Sequence, residues 1–164
     1  MRPLALLLVS LLLASAVPLA AHAKPPRVNG VVWIGGLELR FDANRWDVNG
    51  AKTAYDLFCK TVDCANTTIA VTITEGETCT PETLVFDDVD QPSEVRVDKF
   101  SRAGLDFLVS EGDFGCRNRA GGPVRACTTH DGRTYVFYAP GQACRTSPHI
   151  GESVDEILQG LRPR

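Results

Sequence analysis

Residues 116–144 read CRNRAGGPVRACTTHDGRTYVFYAPGQAC and contain the clearest β-hairpin pattern in the chain. Two β-prone runs, Val124–His130 and Arg133–Ala139, flank the dipeptide Asp131-Gly132. That dipeptide is typical of a type I′ turn, whose backbone twist matches that of the strands it joins. Pro123 stands just before the first run, where its missing N–H costs little. One predicted face carries Val124, Ala126, Thr128, Tyr135 and Phe137, and the other carries Arg125, Cys127, Thr129, Thr134, Val136 and Tyr138.

A second hairpin is predicted near the start of the chain. Residues 31–34 and 37–41 are β-prone runs that meet across Gly35-Gly36. Side chains alternate across a strand, so Trp33 is placed on the polar face, where we expect it to pack beneath a helix. The apolar face of this hairpin comprises Val32, Ile34, Leu37, Leu39 and Phe41.

Further strands follow from alternation of apolar and polar residues. Residues 68–74 alternate strictly, with Ile69, Val71 and Ile73 on one face. Residues 94–100 place Val95 and Val97 on the predicted inner face, and residues 105–110 continue the pattern after a turn. Residues 84–86 form another candidate strand.

Two helices are predicted. Residues 51–60 carry an apolar stripe after Asn49, a residue type that caps helices. Near the C-terminus, Val154, Ile157, Leu158 and Leu161 have the i, i+3, i+4, i+7 spacing of an amphipathic helix. The predicted fold class is α+β, a mostly antiparallel sheet with a short internal helix and a C-terminal helix. This element order is similar to that of PsbP-like α+β folds, a likeness that implies nothing about function because no motif carries it.

The beginning of the chain has the pattern of a secretory signal peptide. Arg2 precedes an almost wholly apolar run over residues 4–20, and Ala21-His22-Ala23 is a small-x-small cleavage site. A retained membrane anchor is the alternative, but Ser10, Ser15 and Pro18 interrupt the run. We therefore expect a signal peptide over residues 1–23, one domain over residues 24–164, a secreted or periplasmic location and no membrane insertion after cleavage.

All six cysteines lie in the predicted mature chain and show no C-x-x-C spacing. In an exported chain this pattern predicts three structural disulfides rather than a zinc or redox site. Six cysteines allow 15 connectivities, which spacing alone does not separate. The pairings we favour are Cys59–Cys64, Cys116–Cys127 and Cys79–Cys144.

The charge of the chain is unevenly distributed. With the signal peptide removed, 16 basic and 20 acidic residues remain, an acidic balance that argues against a nucleic-acid-binding protein. Five arginines nevertheless stand between residues 117 and 145 against the single acid Asp131. Arginine forks bind carboxylates and phosphates, so their convergence would form an anion or acidic-partner site; the alternative is a solvated surface. The five are Arg117, Arg119, Arg125, Arg133 and Arg145.

No pattern of catalytic residues is complete, and no catalytic residue, metal or cofactor is assigned. His130 beside Asp131, and the carboxylates of Glu111 and Asp113, are the candidates for a hydrolase site, yet no G-x-S-x-G motif accompanies them. The acidic residues 87–90 lack the glycine and terminal glutamate of an EF-hand and are interpreted as a solvated turn. Asn66 begins an N-glycosylation sequon, which matters only in a eukaryotic secretory pathway.

Three functional hypotheses remain at this point. The first is an exported, non-catalytic binding or accessory protein that contacts an anionic ligand or an acidic partner through the arginines. The second is a secreted enzyme inhibitor that presents the loop of residues 117–123. The third is a small hydrolase that uses His130 or a carboxylate pair.

Overall fold

The computed structural model describes residues 28–64, 67–86, 92, 94–115, 122–141 and 150–164. Their largest element is a seven-stranded antiparallel sheet in the order β3-β4-β5-β9-β8-β7-β6. Each strand pairs with its sequence neighbour, except where β5 crosses to β9. The strands are β3 (Trp46–Ala51), β4 (Ala54–Cys59), β5 (Thr68–Glu75), β6 (Glu94–Arg102), β7 (Leu105–Asp113), β8 (Val124–His130) and β9 (Arg133–Ala139).

A smaller sheet and one helix cover the inner face of this large sheet. The small sheet has the order β1-β2-β10, with β1 at Gly30–Ile34, β2 at Leu37–Phe41 and β10 at Leu161–Pro163. Helix α1, Ile150–Gly160, runs directly into β10. In the part of the chain that the structure describes, no helix is long and apolar enough to cross a membrane.

The two predicted glycine-turn hairpins are confirmed. Strands β8 and β9 turn at Asp131-Gly132, where both residues have positive φ, and His130 pairs with Arg133. Strands β1 and β2 turn at Gly35-Gly36. The alternating strand β5 is also confirmed, with its three inward side chains buried. The predicted C-terminal helix is present as α1, although Leu161, the last residue of its predicted stripe, begins β10. The fold is a mostly antiparallel sheet with a C-terminal helix.

The core lies between the large sheet on one side and α1 with the small sheet on the other. One continuous cluster of buried apolar residues spans both sheets and the helix. A hydrogen bond crosses between the sheets as well: the backbone N–H of Gly36 donates to the Tyr135 hydroxyl over 2.9 Å. The largest buried side chains are Trp46, Tyr135, Phe107, Phe137, Ile34, Leu37, Leu39, Leu57, Ile69, Leu105, Ile150 and Ile157.

The predicted internal helix over residues 51–60 is wrong, and Asn49 caps no helix. These residues turn at Lys52-Thr53 and return as β4, which hydrogen-bonds to β3 and β5. Leu57 is buried while its neighbours Asp56 and Phe58 are exposed, which is the two-residue period of a strand. In the described residues the other helical pieces are single 3₁₀ turns at Val62–Cys64 and Pro81–Leu84.

Three further expectations about the strands and their faces are wrong. Trp33 does not lie beneath a helix: it is exposed, and the Arg164 guanidinium lies over its ring at 5.5 Å. Val95 and Val97 are also exposed, because β6 is an edge strand and these two side chains point away from the face that α1 covers. Residues 84–86 form no strand, since Leu84 ends a 3₁₀ turn.

The structure contains two disulfides among the described residues. Cys59–Cys64 confirms the predicted bridge. Cys79–Cys127 is the second, and it overturns both other favoured pairings, Cys116–Cys127 and Cys79–Cys144. Its physical cause is the path of residues 76–86, which cross the outer face of β8 and bring Cys79 over Cys127. Cys116 and Cys144 lie outside the described residues.

A polar network joins α1 to the β3 edge of the large sheet. Glu156 accepts hydrogen bonds from Trp46 Nε1 at 3.1 Å and from Arg45 Nε at 2.8 Å. Arg45 also pairs with Asp63 beside the Cys59–Cys64 loop. Burial acts to lower the pKa of Arg45, but the Asp63 hydrogen bond and the two carboxylate charges raise the pKa above its ordinary value. Hydrogen bonds from Thr61 and Arg45 lower the pKa of Asp63.

Candidate functional site

The outer face of the large sheet, opposite α1, is crossed by residues 76–86, which we call the strap. Three hydrogen bonds fix its first half to the β8–β9 hairpin. Gly76 N–H donates to Gly132 O at 3.0 Å, Thr134 Oγ1 donates to Glu77 O at 2.8 Å, and Cys79 N–H donates to Thr129 Oγ1 at 2.8 Å. The Cys79–Cys127 disulfide adds a covalent tie. The strap is therefore anchored to the centre of the sheet.

Arg125 on β8 holds the far end of the strap. Its Nη1 donates to the carbonyl of Val85, and its guanidinium lies 4.9 Å from the centre of the Tyr138 ring. That position permits a cation–π interaction, which restrains the side chain. Arg125 thus ties the end of the strap to β8.

An apolar cleft lies between the strap and the edge strand β6, with a volume of about 310 Å³. Its size falls at the lower end of the range for small-molecule sites, which are mostly apolar with few polar groups. The strap contributes one wall and β6 contributes the other, with β7 between them. The cleft is lined by Pro81, Leu84, Val85, Phe86, Pro92, Val95, Val97 and Ser110.

Ser110 is the one hydroxyl side chain in the lining of this cleft. It stands on β7 directly between Val97 of β6 and Arg125 of β8. Ser110 is only 1% exposed, and its Oγ makes no hydrogen bond with any described residue. A buried hydroxyl without a partner costs free energy, so this atom has an unused capacity to donate or accept.

The structure describes two of the five arginines of the predicted patch, and they do not meet. Arg125 and Arg133 stand on β8 and β9, and Arg133 pairs with His130, five positions along β8 from Arg125. Alternation along β9 places Arg133 on the side of Tyr135, opposite the face of Arg125. Glu75 pairs with Arg133 at 3.3 Å, and its hydrogen bond and charge raise the pKa of Arg133. Arg117, Arg119 and Arg145 lie outside the described residues.

The candidates for acid–base chemistry are scattered over the large sheet. His130 Nε2 lies 3.4 Å from Asp131 Oδ2 at the β8–β9 turn and makes no hydrogen bond to a described residue. Glu111 and Asp113 stand two positions apart near the end of β7, and the Asp113 carboxylate accepts from Gly115 N–H at 2.8 Å. Within the described ranges, no three His, Cys, Asp or Glu side chains form a group that could hold a metal ion.

Sequence reasoning did not find the cleft. The alternation of β6 predicts the strand, but it also predicts that Val95 and Val97 lie in the core, whereas both are exposed. The strap looked like a loop followed by a short strand, and nothing in its spacing indicated that it would cross β8. Pro81, which lines the cleft, is the available indication in the sequence that the strap is not a continuous strand.

Comparison with known proteins gives no family. No protein-family model matches the chain, and no curated protein matches it. Among solved structures, the chain is similar to cyanobacterial PsbP (CyanoP) from Synechocystis sp. PCC 6803, with a TM-score of 0.45 and 13% sequence identity. The match covers 79% of this chain and 87% of that chain. This likeness concerns the path of the backbone and has no bearing on function.

Proposed function

We propose that the protein is an exported, non-catalytic binding or accessory protein, and that the strap–β6 cleft is its binding site for a small apolar ligand. The observation that carries this proposal is the pairing of an apolar lining with one buried hydroxyl, that of Ser110, which bonds to no residue that the structure describes. The apolar walls contribute affinity through the hydrophobic effect, which does not depend on the orientation of the ligand. A single hydrogen-bonding group then fixes that orientation. The ligand class that fits is a small apolar molecule with one hydroxyl or carbonyl group.

Titration with 1-naphthol tests the cleft. The compound combines a rigid apolar body with one hydroxyl, and we expect backbone amide resonances of β6, β7 and the strap to shift in nuclear magnetic resonance spectra. Val97→Asp should weaken binding at least about tenfold, because it places a charge in the apolar wall. Val31→Asp is the matched control, since Val31 is exposed to a similar extent (58% against 50%) but lies on the small sheet. Saturable resonance shifts confined to other parts of the protein would contradict the proposal. Equal binding of 1-naphthol by the Val97→Asp and Val31→Asp variants would contradict it as well.

Ser110→Ala separates the role of the hydroxyl from that of the fold. The variant should weaken 1-naphthol binding about five- to tenfold, the effect of one hydrogen bond. The same variant should raise the free energy of unfolding by about 1 kcal/mol, because a buried hydroxyl without a partner is removed. Denaturant unfolding and the titration together check this. Weaker binding with lower stability would instead indicate a structural role for Ser110.

A second candidate is the binding of an anionic ligand or an acidic partner through the five arginines, with Arg125 as its described member. The supporting observation is that Arg125 is held rigidly by Val85 and Tyr138 on the face that bears the cleft. Arg119, Arg125 and Arg133 changed together to alanine should abolish binding of poly-glutamate, measured at two salt concentrations. Because Arg125 and Arg133 lie on opposite faces, single substitutions should show which face contributes. Unchanged binding by the triple variant would rule out this candidate.

Export and the third disulfide belong to the same proposal. We propose cleavage after Ala23, release to the periplasm or outside the cell, and a Cys116–Cys144 bridge, since the other four cysteines are already paired. Mass spectrometry of the exported protein should find Lys24 at its N-terminus.

Non-reducing peptide mapping should give three linked peptide pairs, Cys59–Cys64, Cys79–Cys127 and Cys116–Cys144. A free thiol at Cys116 or Cys144 would contradict the third pairing.

A further inference from the structure

Among the residues that the structure describes, strand β6 is one of the two edges of the seven-stranded sheet. It is nine residues long, and β7 is its neighbour in the sheet order. An edge strand presents a row of backbone N–H and C=O groups on which another strand can form hydrogen bonds. The side chains of β6 are accordingly exposed over most of its length, including the apolar residues Val95 and Val97.

The order of charges along β6 is self-complementary. Arg96 and Asp98 flank Val97 and lie on the same face, where Arg96 Nη2 approaches Asp98 Oδ2 to 2.6 Å. In an antiparallel pair formed by two identical strands and centred on Val97, each Arg96 stands opposite the Asp98 of the other copy. Directly opposed charges of unlike sign stabilise a strand pair, whereas like charges destabilise it.

We propose that β6 is a self-association surface, on which a second copy of this chain adds its own β6 in antiparallel register centred on Val97. The two large sheets then become one continuous sheet across a two-fold axis. Two Arg96–Asp98 pairs flank the axis on one face, and Val97 meets its own copy on the other.

The apolar face of β6 supports the same register. Val95 and Val97 both point to the side of the strap, and both line the cleft. A two-fold axis perpendicular to the sheet keeps the two straps on the same side, so the two clefts lie next to each other. In this register Val97 packs against its own copy, and each Val95 stands opposite Lys99 of the other copy, whose alkyl stem can cover it. Both contacts reduce the apolar surface in contact with water.

A two-fold contact of this kind closes on itself. Each copy uses its single β6 edge, and the same residues contribute from both copies. Pairing of β6 with the opposite edge, β3, would instead leave a free edge at each end and form an open chain of copies. The proposal therefore specifies a dimer and no larger assembly.

Reversal of the two charges tests the register. Sedimentation equilibrium of the full mature chain should show a concentration-dependent dimer. Arg96→Asp alone and Asp98→Arg alone each place like charges opposite one another twice, and each should weaken the dimer about tenfold or more. The double variant Arg96→Asp with Asp98→Arg restores both pairs and should restore the wild-type dissociation constant. Asp47→Arg on the β3 edge is the control and should leave the dissociation constant unchanged.

Cysteine cross-linking gives an independent readout. Opposed residues of an antiparallel pair have Cα atoms about 4.5–5.5 Å apart, within the range for a disulfide. Val97→Cys should form a disulfide-linked dimer with oxidised glutathione. Val95→Cys should not, because its two copies would be about 14 Å apart along the strands. A protein that stays monomeric at millimolar concentration overturns the proposal, as does a dimer that the double charge reversal fails to restore or that Val95→Cys links equally well.

Discussion

Glu156 is the side chain through which α1 bonds to the edge of the large sheet. Its two carboxylate oxygens accept from Trp46 Nε1 and from Arg45 Nε, and Trp46 is fully buried. Glu156→Ala leaves the indole N–H without a partner inside the core and removes an ion-pair partner of Arg45. We expect this change to lower the free energy of unfolding by about 1–3 kcal/mol, measured by urea unfolding.

Asp47→Ala is the matched control for this prediction. It also removes a carboxylate that forms an ion pair, with Lys60 at 2.9 Å, but at an exposed position. Exposed pairs contribute about 0–1 kcal/mol, so the control should have little effect on the unfolding midpoint. An equal loss of stability in both variants would contradict the importance of the buried indole contact.

At the residue scale, sequence patterns predicted which side chains face inward on most strands but not what those side chains bond to. Ser110 lies in a predicted strand, but only the pairing of β7 with β6 and β8 places it between Val97 and Arg125, where its hydroxyl bonds to no described residue. Likewise, the arginines of the 117–145 stretch looked like one patch because they are close in sequence. In the β8–β9 hairpin, Arg125 and Arg133 lie on opposite faces of the sheet, because side chains alternate between the two faces along each strand.

At the scale of elements, the two disulfides should differ in their contribution to stability. Cys79–Cys127 closes a loop with a sequence separation of 48, whereas Cys59–Cys64 spans a separation of 5. Because a longer loop loses more entropy in the unfolded state on closure, paired alanine substitutions should cost about 4 kcal/mol for the first bridge and about 2 kcal/mol for the second. Thermal unfolding of the two double variants checks the order, and a larger loss from the short loop would contradict it.

Gly160, where α1 gives way to β10, is required by packing. A Cβ atom at this position would lie 2.0 Å from the backbone carbonyl oxygen of Arg40 on β2. Gly160→Ala must therefore push the helix end away from the small sheet, at a cost of about 1–3 kcal/mol in unfolding free energy. Hydrogen exchange of the β2 and β10 amides should accelerate in this variant. Unchanged stability and exchange would show that the junction relaxes without cost.

Strand β4 has a sequence that also fits a helix. Tyr55, Leu57 and Phe58 fit a helical stripe, and Asn49 is a common cap residue. Strands β3 and β5, however, lie on either side of this segment and satisfy its backbone hydrogen bonds in the extended form. Local propensity is a weak preference, and pairing with two neighbours outweighs it.

At the scale of the whole molecule, the shared core predicts a single unfolding transition. One cluster of buried residues spans both sheets and α1, so neither sheet has an apolar core of its own. Trp33→Phe leaves Trp46 to report on the large sheet, and Trp46→Phe leaves Trp33 to report on the small one. In each variant the fluorescence midpoint in urea should coincide with the far-ultraviolet circular dichroism midpoint. Separate midpoints within one variant would mean that the two sheets unfold independently.

The sequence by itself determined the two glycine-turn hairpins, the C-terminal helix and a mostly antiparallel sheet, and it favoured the short disulfide among the possible connectivities. These features depend on residues that are close in the chain: a Gly or Asp-Gly turn, an alternating run, a helical stripe, two cysteines five positions apart. Only the tertiary structure decided that the strap crosses β8, that Cys79 reaches Cys127, and that Val95 and Val97 remain outside the core. Each of these features depends on which distant segment packs against which face of the sheet. An alternating sequence predicts that a strand has an apolar and a polar face, but it does not predict which segment covers either face.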